Sequence, residues 1–171
     1  MGSLCSILYE PFISSLKPGY PAQRTEAAAN QLSFQGDFVV QRQQTWAIQR
    51  QQLKASLNEP NLILIDAREL REYTGATPYG EQRGGHIPGA IHLHYKELMD
   101  DQGELISRQA IETKLQGLGI QPNAQIVIYC TGGIRSGWLT TVLVNLGFQV
   151  KNYAGSMWEW SAAPAEHYPI E

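Results

Sequence analysis

The chain has 171 residues, 43% hydrophobic and 17% charged, with a formal net charge of -3. This is enough sequence for one domain with a real core, and the charge argues against bulk attraction to nucleic acid or an anionic membrane. Cys5 and Cys130 are the two cysteines; with no CxxC pair and no Cys/His series they carry no zinc signature. No apolar run approaches the roughly 20 residues that span a bilayer, and "MGSLCSILYEPF" lacks a basic n-region and a sufficient apolar h-region. A cytoplasmic chain with reduced thiols is therefore expected.

Residues 1–36 are weakly patterned and read as an N-terminal extension or linker, leaving 37–171 as the domain. Phe38-Val39-Val40 is a short apolar run. "TWAIQRQQLKASL" predicts a helix capped by Thr45, with Trp46, Leu53 and Leu57 on one face. Leu62 to Asp66 is an apolar run ending in an acid, the pattern of a parallel strand buried on both faces. Residues 74–89 read as a loop rich in Gly and Pro, residues 90–93 as a short strand, and residues 95–99 as a helical turn. Residues 108–118 predict an amphipathic helix turning Ile111, Leu115 and Leu118 inward. A strand over Ile126 to Tyr129 precedes the helix "RSGWLTTVLVNLG", which Gly147 can end. "FQVKNY" is strand-like, and "GSMWEWS" reads as a loop with a short turn. Strands alternating with helices imply an α/β fold with a mainly parallel central sheet, flanked by helices on both faces.

In parallel sheets, ligands collect where strands end and helices begin. Cys130 stands at such a point, and Asp66 ends a second strand. The loop Cys130, Thr131, Gly132, Gly133, Ile134, Arg135, Ser136 can turn successive N–H groups inward as an anion nest. The following helix adds the positive end of its dipole, and Arg135 adds a charge. These features favour thiolate, so the thiol is expected below the roughly 8.5 of free cysteine. The plain alternative is a small buried hydrophobe that ends a strand.

Loop size limits the chemistry. C-x-x-x-x-R is one residue shorter than the C-x-x-x-x-x-R loop of cysteine phosphatases. A transferred phosphoryl group needs donors around three equatorial oxygens; the smaller cradle better matches one sulfur bonded to Cys130, a persulfide.

"DAR" at 66–68, "RGGHIPGAIHL" at 83–93, "YCTGGIRS" at 129–136 and "YAGSMWEW" at 153–160 occur in this order. Over about residues 38–171 the sequence resembles the rhodanese superfamily of sulfurtransferases. It is most similar to the catalytic C-terminal half of two-domain thiosulfate or 3-mercaptopyruvate sulfurtransferases. The resemblance implies that "PGYPAQRTE" corresponds to the linker between halves. It also implies ping-pong transfer: Cys130 takes the outer sulfur of thiosulfate and passes it to cyanide or a thiol. The partners so implied are a small anionic sulfur donor and a thiol or cyanide acceptor, with a sulfur-acceptor protein as a further candidate. Nucleic acid, membrane, metal and organic cofactor are not called for.

Backbone N–H groups of Thr131 through Ser136 are expected to hold the persulfide, and Arg135 to position the anion. Asp66 is expected to orient loop groups, and Trp158 and Trp160 to shield the sulfur or to serve as ordinary packing. The sequence departs from the animal enzymes, which carry threonine where Arg135 stands and a substrate-binding arginine where Glu72 stands. Arg71, Arg83 or Arg135 is expected to replace that charge. "YCTGGIR" also resembles the loop of rhodanese-domain tRNA uridine hydroxylases. His86 is read as fastening its loop, His92 and His94 as non-ligands, and Arg68 as one half of an internal ion pair. A phosphatase or arsenate reductase, and a non-catalytic module that binds a partner protein, are the rival readings.

Overall fold

The computed structural model describes residues 46–171. The Phe38–Val40 run, Thr45 and Cys5 lie outside these residues. Strands β1 (Leu62–Asp66), β2 (Ile91–His92), β3 (Gln125–Tyr129) and β4 (Gln149–Asn152) form one four-stranded sheet in the order β2-β1-β3-β4. Every pairing is parallel. Parallel neighbours need crossovers, and these supply the covering layers.

Alternation along the inner strands sends side chains to two cores. Ile65, Ile126 and Ile128 pack with Ile111 and Leu115 of α3 (Arg108–Gly117) and Leu139 and Leu143 of α4 (Ile134–Asn145). Leu64, Val127 and Tyr129 pack with Leu53 of α1 (Arg50–Ser56) and Met157 and Trp160 of α5 (Ser156–Ala162). The mainly parallel sheet flanked by helices on both faces is thus present. Gly147 leaves α4 with φ +94°, a conformation that disfavours any side chain bearing a Cβ.

Three local expectations change. Helix α1 starts at Arg50 because Ala47 bridges β4 at Asn152 and Ile48 N–H donates to the Asn152 carbonyl at 3.2 Å. Sheet-edge pairing wins over helix propensity there; Leu53 is buried and Trp46 is left 52% exposed. "GSMWEWS" is largely helix, not a loop: Met157, Trp160 and Ser161 fall on the buried side at helical spacing. A short unanticipated helix, α2 (Leu70–Tyr73), is closed by reciprocal bonds between Glu69 and Glu72.

These elements put the ends of β1 and β3, the start of α4 and the start of α5 at the same end of the sheet. That is the carboxyl end of the strands, where the chemistry-bearing residues gather.

Candidate active site

Cys130 follows β3 directly, and the start of α5 pins it. Met157 N–H donates to the Cys130 carbonyl at 3.0 Å, and Cys130 N–H donates to Ser156 Oγ at 3.1 Å. Ser156 Oγ in turn donates to the Tyr153 carbonyl at 2.8 Å. Ser156 is buried and has φ +50°, a left-handed conformation that costs a non-glycine residue about 1–2 kcal/mol. Its bonds on both sides hold it there. Within "YAGSMWEW" the only sequence signal for this role is a small polar residue opening an apolar helix.

The loop curls its amides inward. Gly133, at φ +90°, directs its N–H to Cys130 Sγ at 3.1 Å, and Ser136 Oγ lies 3.5 Å from the same sulfur. Cys130 is only 1% exposed, so its thiol forms the floor of a nearly closed cradle. Burial pushes the thiol up, but the Ser136 hydroxyl and the N–H groups of Ser136, Gly133 and Gly132 outweigh it. The result lies below the ordinary thiol value.

Close packing roofs the loop. A Cβ on Gly132 would run into the Trp158 ring, and one on Gly133 would meet the Ala154 carbonyl. Trp158 N–H donates to the Thr131 carbonyl at 3.0 Å, and its indole N–H donates to the Tyr79 carbonyl at 2.9 Å. Trp158 is 53% exposed and so forms a rim. Trp160 is buried, with its indole N–H on the Pro169 carbonyl, and belongs to the core rather than the rim. Ile134 projects from the loop tip and is 87% exposed.

Arg135 is not a free cation. Its guanidinium grips Glu72 through two bonds of 2.6 and 2.8 Å, and the Thr131 hydroxyl donates to the same carboxylate at 2.7 Å. Burial raises the fully buried Glu72 carboxyl, yet the bonds from Arg135 and Thr131 dominate and bring it down to about 2. Glu72 raises Arg135 in return. Arg83 does not replace the missing charge either. It donates to the carbonyls of Trp160, Ser161, Ala163 and Tyr168, capping the end of α5. Arg71 pairs with Glu69 at 2.7 Å on the surface. The expectation that one of these arginines offers a spare charge to an anion is therefore corrected. The Cys130 thiolate is favoured by the Ser136 hydroxyl and the N–H groups of Ser136, Gly133 and Gly132, with Arg135 coupled to both Glu72 and Cys130.

A second pair lies deeper. Arg68 binds Asp66 through Nε and Nη2 and donates from Nη2 to the Gly85 carbonyl at 2.7 Å, with both residues at 0% exposure. Asp66 thus orients Arg68, which in turn fastens the "GGHIPG" loop. Glu81 links the two pairs, 3.9 Å from Arg68 Nη1 and 3.4 Å from Thr131 Oγ1. His86 stacks on Tyr73 at 3.7 Å and bonds the Tyr73 carbonyl, a fastening role. His92 Nε2 lies 2.8 Å from the Arg68 carbonyl, and His94 caps the 3-10 helix Tyr95–Leu98. Among the described residues no group of three or more His, Cys, Asp or Glu is placed to hold a metal ion.

The Rhodanese-like domain family matches residues 49–163, most of the chain and every element of this site. The chain belongs to the rhodanese-like family. One relative of this rhodanese domain is a thiosulfate sulfurtransferase of Azotobacter vinelandii, 38% identical over 116 residues, covering 67% of this chain and 42% of that protein. A sulfur carrier protein of Thermus thermophilus is 35% identical over 106 residues, covering 57% and 37%. The chain spans about two fifths of the length of the curated relatives it matches. Among solved structures, an anaerobic ergothioneine biosynthesis enzyme from Chlorobium limicola, in complex with trimethyl histidine, superimposes with a TM-score of 0.63 and 26% identity, covering 74% of this chain and 28% of that one. A protein solved as a cysteine persulfide with ergothioneine gives 0.62 and 26%, covering 73% and 27%.

Proposed function

We propose that this rhodanese domain is a sulfurtransferase that carries sulfane sulfur as a persulfide on Cys130. The observation that carries the reading is the Gly133 N–H aimed at Cys130 Sγ at 3.1 Å inside a six-residue loop. Family membership and relatives named thiosulfate sulfurtransferases support it. Thiolate attacks the outer sulfur of thiosulfate; the Sγ–S bond forms, the S–S bond of the donor breaks, and the electron pair leaves with sulfite. The persulfide anion inherits the donors that served the thiolate, Ser136 Oγ and the N–H groups of Gly132, Gly133 and Ser136. Cyanide or a thiolate then takes the terminal sulfur and restores Cys130.

Asp66 and Arg83 support this chemistry through the loops they fasten, and Trp158 by roofing Gly132. The kinship to a sulfur carrier protein makes a protein acceptor a reasonable partner. We assign the catalytic unit to residues 37–171 and its setting to the reducing cytoplasm, which keeps the thiol reduced. No described helix is long and apolar enough to cross a membrane.

Intact mass spectrometry tests the proposal. Exposure to thiosulfate adds one sulfur atom, cyanide removes it, and Cys130→Ser never acquires it. Turnover of a phosphate ester with no sulfur uptake would instead support a phosphatase. Absence of uptake from any donor, with a stable protein complex isolated, would leave a binding module.

A further inference from the structure

Glu72 occupies a place where it changes what the loop can recognise. Its carboxylate is fully buried and holds both Arg135 nitrogens and the Thr131 hydroxyl. Glu81, 6% exposed, adds a second carboxylate 3.4 Å from that hydroxyl. Arg68 is bound to Asp66 and also reaches Glu81 at 3.9 Å. Behind the loop three buried carboxylates, Asp66, Glu72 and Glu81, therefore face two guanidiniums, Arg68 and Arg135, and the cluster carries a net negative charge. The mouth is also apolar. Trp158 and Tyr79 are about half exposed, Ile134 is 87% exposed, and Arg135 stands over the Tyr79 ring at 5.5 Å.

Resting on the persulfide reading of Cys130, we infer that Glu72 is a specificity-determining residue that turns the site away from doubly charged thiosulfate and towards singly charged sulfane-sulfur donors with an apolar or aromatic body. Thiosulfate holds its second charge on the sulfonate end, which stays at the mouth when the outer sulfur reaches Cys130. The cation nearest that end, Arg135, is already paired with Glu72. A donor such as an aryl thiosulfonate presents the same outer sulfur with one charge fewer, and its ring lies against Trp158 and Tyr79. The step balances without a co-reactant. Cys130 thiolate attacks the outer sulfur, the Sγ–S bond forms and the bond to the sulfonyl sulfur breaks. The electron pair leaves on the sulfinate, and the persulfide keeps one negative charge. The two sulfurs of the new bond are jointly oxidised as the sulfonyl sulfur is reduced.

The test measures single-turnover sulfur loading of Cys130 by intact mass, with benzenethiosulfonate and thiosulfate as the two probes. Wild type is expected to favour benzenethiosulfonate by about tenfold or more in kcat/KM. Glu72→Gln, which keeps the shape and releases the Arg135 charge, is expected to raise thiosulfate efficiency and narrow that ratio by about tenfold. Trp158→Ala unroofs Gly132 and lowers loading from both donors, and is expected to lower it severalfold more from benzenethiosulfonate than from thiosulfate. It keeps the question decidable should Glu72→Gln not fold. Equal or better use of thiosulfate by wild type, or a proportional fall with both donors in Glu72→Gln and Trp158→Ala, overturns the inference while leaving the persulfide reading intact. Loading by neither donor overturns that reading and this inference together.

Discussion

Two of the buried carboxylate–guanidinium pairs among the described residues do different work. Asp66 and Arg68 are two residues apart, both at 0% exposure, and tie a strand end to the Gly85 loop. Glu72 and Arg135 come from segments 63 residues apart, and the Arg135 side chain keeps 18% of its surface exposed at the rim of the cradle. The first pair is scaffold, completed within its own turn. The second adjusts a reactive loop, with Glu72 fully buried and Arg135 reaching the rim. A buried ion pair alone is weak evidence of stability, because desolvation offsets attraction, but breaking one strands a charge.

Asp66→Ala gives the sharpest separation of the two. It leaves the fully buried Arg68 guanidinium without its partner and should lower unfolding free energy by about 3–5 kcal/mol, read from the urea midpoint. Arg135→Ala is expected to cost less, about 1–3 kcal/mol, because Arg135 lies at the rim and its removal lets water reach the otherwise buried Glu72 oxygens. If Arg135→Ala proves as destabilising as Asp66→Ala, the division into scaffold and rim fails.

Acid titration sharpens the contrast. Against the upward push of burial, Glu72 is depressed in the folded state to about 2, from an ordinary carboxylate value of 4.5, by its bonds to Arg135 and Thr131. Its contribution is therefore fully present above the unfolded value and is lost as pH falls through that window towards 2. Wild type should lose on the order of 2 kcal/mol more than Glu72→Gln across this range, measured by denaturant titration at each pH. An identical acid dependence for the two proteins would remove Glu72 as the titrating partner.

Ser136→Ala acts on the floor and not on either pair. Losing the hydroxyl that lowers the thiol should raise its pKa and slow alkylation of Cys130 near neutral pH severalfold, with little change in unfolding. The smallest change is expected from the rim: Trp158→Ala should shift stability by only about 1 kcal/mol, by calorimetry, because the ring is already half in water.

Local pattern was enough for the β1 and β3 runs, the helix after Cys130, the exit at Gly147 and the inward glycine loop. In each, the decisive physics acts between near neighbours: strand alternation, helix period and left-handed glycine. An internal ion pair at Arg68 was legible in the same way, but that Asp66 is its partner was not. Tertiary structure alone decided the rest. It brought Glu72 onto Arg135, laid Trp158 over Gly132, sent Arg83 to the end of α5 and unwound Trp46 to Gln49 into a sheet edge. These outcomes depend on which unpaired charge or backbone group lies within reach after the crossovers close, and that distance is absent from a linear string.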